Sequence, residues 1–80
     1  MPTVLRIRGY RFYFFAEEGR EPAHVHVDKA SGTVKIWLED LSIARTEDLK
    51  PAEIREVLRL ARQHRQFLLQ AWNEFDRRKG

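Results

Sequence analysis

The chain has 80 residues, 42% hydrophobic and 34% charged, with 15 Lys and Arg against 12 Asp and Glu for a net charge of +3. This length and balance describe one small folded domain, not a disordered chain, and the mild positive charge admits an anionic partner without requiring one. There is no cysteine, which excludes disulfides, thiolate metal sites and a cysteine nucleophile; no apolar run is long enough for a transmembrane helix and Met1-Pro2-Thr3-Val4 does not read as a signal peptide, so the cytoplasm is expected, with no membrane partner.

Val4 to Arg8 alternates, Leu5 and Ile7 against Arg6 and Arg8, and Gly9 marks a tight turn. Tyr10 to Phe15 is rich in aromatics, which favour strands. Together these read as a hairpin with strands over 3–8 and 10–16. Glu17 to Pro22 is a loop by its charge, Gly and Pro. Pro22 lacks an N–H and suits the entry to a third strand over 24–29. Ser31-Gly32 reads as a turn, and 33–39 as a fourth strand with Val34, Ile36 and Leu38 alternating. Leu41 to Ala44 is a candidate for a short extra strand.

A helix starts near Pro51, because proline is favoured at the first helical position and Glu53 puts negative charge in the first turn. Ile54, Val57, Leu58, Ala61, Leu68, Trp72 and Phe75 recur at helical spacing and mark a buried face, widened by Leu60, Phe67 and Ala71. Trp72 is expected to anchor the helix in the core. The helix is expected to run unbroken over 51–76, about 39 Å of rise, with its end overhanging the sheet. The expected fold is α+β over residues 1–80: a four-stranded, mainly antiparallel sheet of two hairpins, then one long C-terminal helix packed on one face.

Successive residues of a strand point to opposite faces. One face then holds Leu5, Ile7, Phe12, Phe14, Val25, Val27, Val34, Ile36 and Leu38 and takes the helix. The other carries Arg6, Arg8, Arg11, Tyr13, Phe15, His24, His26, Asp28, Lys35 and Trp37, unless a bulge flips the phase of the second strand. A merely solvated face would show more Thr, Glu and Lys.

Several chemistries suit this face. Tyr13, Phe15, Trp37, Arg11 and Arg20 are candidate binding contacts, since Trp, Tyr and Arg dominate interface energetics. Aromatics interleaved with arginine also suit stacking and phosphate contacts to single-stranded RNA. His24 and His26 have the unperturbed pKa of an acid–base pair. With Arg6, Arg11 or Lys35 stabilising a phosphorane, they would make a metal-independent ribonuclease. His24, His26 and Asp28 are also candidate metal ligands, although zinc usually takes three or four protein ligands. The plainest reading is that the histidines order a loop or a partner contact by hydrogen bonds, with one of Glu17, Glu18 and Glu21 orienting a ring. His64 reads as a surface or boundary residue of the helix, and Arg55, Arg59 and Arg62 as its solvent stripe. No cofactor is expected.

Several segments carry a family resemblance: Met1-Pro2-Thr3-Val4-Leu5-Arg6-Ile7, Gly9-Tyr10-Arg11-Phe12-Tyr13-Phe14, Glu18-Gly19-Arg20-Glu21-Pro22-Ala23-His24-Val25-His26-Val27, Lys35-Ile36-Trp37-Leu38 and Ala71-Trp72-Asn73-Glu74-Phe75. With these the chain resembles a family of short bacterial proteins known as domain of unknown function number 4160. Ala23 stands where that family usually has a second proline. The resemblance implies a two-gene unit, with a small partner protein of unknown-function family number 2442, in a toxin–antitoxin-like arrangement. It does not imply which partner is toxic. The leading expectation is a small cytoplasmic protein-interaction module in such a pair. The rivals are a ribonuclease or RNA-binding toxin and a metal-binding protein, and self-association stays open.

Overall fold

Arg8 (φ 56°) and Gly9 (φ 83°) both sit in the left-handed region, and together they close the first hairpin between Ile7 and Tyr10. Two successive left-handed residues give the turn whose twist matches that of the flanking strands. The computed structural model describes residues 3–15 and 21–79, so Glu17, Glu18 and Arg20 lie outside the described residues. Its elements are β1 (Thr3–Ile7), β2 (Tyr10–Tyr13), β3 (His24–Lys29), β4 (Gly32–Trp37), β5 (Ile43–Glu47), α1 (Pro51–Gln63) and α2 (Arg65–Lys79). The strands form one antiparallel sheet in sequence order, β1-β2-β3-β4-β5.

The expected α+β class and antiparallel sheet are present, but among the described residues the sheet has five strands, not four. β5 begins and ends later than the candidate at Leu41 to Ala44. All five of its side chains are exposed, and its register slips against Lys35 and Ile36, with Ala44 as the extra residue. An edge strand with a bulge keeps little alternation, which is why its sequence gives no strand pattern. The second turn falls on Ala30 and Ser31, with Ala30 at φ 53°. Gly32 already pairs with Lys29 in β4. A Cβ there would collide with the Asp48 carbonyl and come within 2.6 Å of Leu49 Cδ2, so this glycine serves a close approach of chains, not a turn.

The strand pairing sorts the two faces. Leu5, Phe12, Val27 and Val34 form one row across the core face, and Val25 pairs with Ile36 in another. A slip between Thr3 and Leu5 sends Thr3 to the opposite face, where it pairs with Tyr13. Arg8 was expected on that outer face. It lies in the turn instead, and its guanidinium reaches Glu56 of α1 at 3.1 Å.

α1 opens on Pro51, with the Glu53 carboxylate accepting from the Lys50 N–H at 2.9 Å. Its buried side chains, Val57, Leu60 and Ala61, join Tyr10, Phe12, Phe14, Val25, Val27, Val34, Ile36, Leu38, Leu68 and Trp72 in one core. Each large apolar side chain buried there contributes about 1.5–3 kcal/mol. The expected single helix is two. A straight helix over 51–79 would be about 43 Å long, more than the 36 Å greatest extent of the molecule. The chain breaks at His64 (φ −110°, ψ 20°), which keeps Leu68 and Trp72 on the core. Arg65 fixes the new direction by donating to the Leu38 carbonyl at 3.0 Å and the Glu39 carbonyl at 2.6 Å. Beyond the break the buried stripe narrows, and Phe67, expected inside it, is 47% exposed. No described helix is long and apolar enough to cross a membrane.

Candidate functional site on the outer sheet face

Two cross-strand rows organise the outer face. One runs Thr3, Tyr13, His26, Lys35, Arg45; the other runs Arg11, Asp28, Thr33, Glu47, with Arg6 opposite Arg11 on β1. His24 pairs with Trp37 at the end of β3. Period-2 alternation thus places Arg6, Arg11, Tyr13, His24, His26, Asp28, Lys35 and Trp37 on one surface, as expected. Phe15 joins them, its ring edge-on to Tyr13 at 5.6 Å and to His26 at 4.8 Å.

The histidines are not surface groups. Each is only 7% exposed. His26 stacks on Tyr13 with ring centroids 5.5 Å apart, and lies 5.3 Å from the ring of His24. His24 also meets Trp37 at 5.7 Å and Trp72 at 5.1 Å. Trp72 touches Phe14 of the core as well, so its ring spans the end of the sheet between the two faces. That contact had no sequence signal, because helical spacing identifies a buried residue but not its partner across the sheet.

Their chemistry differs. The His24 Nδ1–H donates to the Pro22 carbonyl at 2.9 Å, with a Glu21 carboxylate oxygen 3.7 Å away. In the neutral form of the ring, that bond leaves Nε2 as the acceptor nitrogen. Burial pushes the His26 pKa down to about 4, helped by the positive fields of His24, Lys35 and Arg45 and opposed by Asp28. His26 is therefore a neutral imidazole near pH 7, one donor and one acceptor.

The cations expected to hold phosphate are largely engaged. Arg11 donates to the Thr3 hydroxyl at 2.8 Å, lies 3.8 Å from Asp28 and covers the Tyr13 ring at 4.4 Å. Lys35 donates to Glu21 at 2.6 Å and sits 4.8 Å above the Trp37 ring. This bond lowers the Glu21 pKa. Arg6, on the edge strand, is not brought to the histidines. The Asp28 carboxylate accepts from the Tyr13 hydroxyl at 3.0 Å. Burial first, and then this bond to a carboxylate, raise the Tyr13 pKa. Among the described residues no group of three or more His, Asp or Glu is arranged to hold a metal, so Asp28 does not complete a set with His24 and His26.

Arg45 was missed, because the candidate extra strand stopped at Ala44 whereas β5 runs from Ile43 to Glu47. It and Thr33 join Tyr13, Phe15, His26 and Asp28 around an open cleft of about 350 Å³.

Five antiparallel strands in a meander, with a bent helical arm on one face and buried imidazoles under aromatics and cations on the other, define a small α+β protein with an open sheet face. The chain belongs to the DUF4160 family, a domain of unknown function, whose profile matches residues 9–73. That span runs from the first hairpin turn into α2 and contains both histidines. No curated protein and no solved structure matches the chain.

Proposed function

We propose that this protein is a small cytoplasmic interaction module, one component of a toxin–antitoxin-like pair, whose partner docks on the outer face of the sheet. The observation that carries this reading is the make-up of that face. Trp37 and Phe15 are half-buried, standing over histidines that are themselves largely buried, while the helices pack on the opposite face. Rigid, partly desolvated aromatics beside arginine are the usual anchors of an interface. The resemblance to the family supplies the partner: a small protein of unknown-function family number 2442 from a neighbouring gene. Arg11, Tyr13 and Trp37 are the central contacts.

Titration of the purified partner, with Trp37→Ala beside the wild type, tests this. Affinity should fall at least tenfold, about 1.4 kcal/mol, with little change in melting temperature. Equal affinity would remove the outer face from the interface.

The ribonuclease reading has one observation in its favour, two imidazoles in contact with unlike environments, the arrangement that separates acid from base. Against it, Lys35 is already held by the Glu21 carboxylate and Arg11 by the Thr3 hydroxyl. Growth arrest by the wild type that vanishes in a folded His24→Ala, His26→Ala variant would favour this reading. A metal-binding role through the same histidines would need ligands beyond the described residues.

A further inference from the structure

A cleft beside His26 shares Tyr13 and Phe15 with the proposed partner face but takes its chemistry from Asp28, His26 and Arg45, and it does not rest on the partner reading. Tyr13 and Phe15 form an aromatic wall, Asp28 and Thr33 line it from the neighbouring row, and Arg45 lines it from β5. The cleft is about 350 Å³, near the lower bound for small-ligand sites, roughly 300 Å³.

Three features point to an occupant. His26 is 93% buried by its 7% exposure, yet its ring nitrogens make no hydrogen bond among the described residues. Among the described residues no buried side-chain nitrogen or oxygen is both fully occluded and unpaired, so these nitrogens keep some contact with solvent, and His26 is one of the residues that line the cleft. Arg45 is exposed and forms no ion pair among the described residues, which leaves a cation free at the cleft. The Asp28 carboxylate spends one oxygen on Tyr13 and holds Arg11 only at 3.8 Å. A carboxylate offers about four acceptor positions, so it can still accept from a pair of adjacent N–H groups.

We propose that this cleft binds a guanine nucleotide, free or within a single strand. The base lies against the half-buried Phe15 ring, the sequence-tolerant part of recognition, because the Tyr13 ring is already covered by Arg11 and His26. Asp28 accepts from the two N–H donors on its Watson–Crick edge, His26 supplies a further donor or acceptor, and Arg45 takes the phosphate. Adenine presents an acceptor where guanine presents the ring N–H, and that acceptor would face the carboxylate unpaired. This difference sets the specificity.

The test is an NMR titration of the full chain with guanosine monophosphate, adenosine monophosphate and a short single-stranded oligonucleotide carrying one guanine. Saturable shifts at Tyr13, His26, Asp28 and Thr33 are expected for guanosine monophosphate, at least tenfold weaker for adenosine monophosphate. Asp28→Asn should erase that preference, and Arg45→Gln should weaken the nucleotide but not guanosine. Asp28→Asn keeps an acceptor for Tyr13 and Arg45 is exposed, so both variants should keep the wild-type amide spectrum. Tighter binding of the oligonucleotide assigns the site to a strand, and equal binding assigns it to a free nucleotide. No shifts at millimolar ligand, or equal responses to both nucleotides unchanged by Asp28→Asn, would overturn the proposal.

Discussion

His26 exchanges water for the rings of Tyr13, Phe15 and His24, and the charged imidazole is the form that suffers. In the unfolded chain its pKa is near 6.5, and in the fold it is about 4. As pH falls through the interval between them, the unfolded state takes up a proton that the native state refuses, so stability falls with pH. Below about 4 both states are protonated and this contribution is constant. Solvent in the cleft reduces the effect, which should reach no more than about 2 kcal/mol. Urea unfolding of the wild type and of His26→Gln at pH 7 and pH 4.5 checks it: the wild type should lose more stability than the variant over that interval. Equal losses would place the titration elsewhere. At this scale the sequence was informative about direction and silent about depth. The His-x-His spacing put both rings on the outer face, as found. Their burial was illegible, because it depends on Phe15, just past β2, Trp37 of β4 and Trp72 of α2 folding over them.

Strands with an alternating pattern were readable, and the elements that broke the pattern were not. β1 to β4 each keep a row of apolar residues against the core, so their presence and face followed from period alone. β5 lacks such a row. The break at His64 carries no proline or glycine, and the force that bends the chain is the limited length of the sheet beneath it. Arg65 holds that bend through the Leu38 and Glu39 carbonyls. Arg65→Ala should cost about 1–2 kcal/mol in thermal unfolding, with Arg65→Lys recovering part of it; an unchanged melting temperature would show that the core alone sets the bend. Gly32 is the equivalent device for β5. Gly32→Ala should cost about 1–3 kcal/mol by forcing a Cβ against Asp48 and Leu49, measured as a lower urea midpoint, and a neutral outcome would mean that the Asp48 segment yields freely.

Stability is distributed unevenly over the molecule. The central strands and α1 meet in the core, whereas β5 is exposed along its whole length. Native-state hydrogen exchange should therefore find Val25, Val27 and Ile36 among the slowest amides and β5 among the fastest. Uniform protection across the sheet would contradict this picture. The sheet order is also the chain order, from β1 to β5 without a crossover. As the chain leaves the ribosome, each strand can join the one made just before it. The apolar side of that growing sheet nevertheless stays bare until Val57, Leu60, Leu68 and Trp72 have been made. A nascent or prematurely terminated chain thus displays Phe12, Val27, Val34 and Ile36 to its surroundings, and it is at this stage of synthesis that a chaperone would engage the protein or that aggregation would begin.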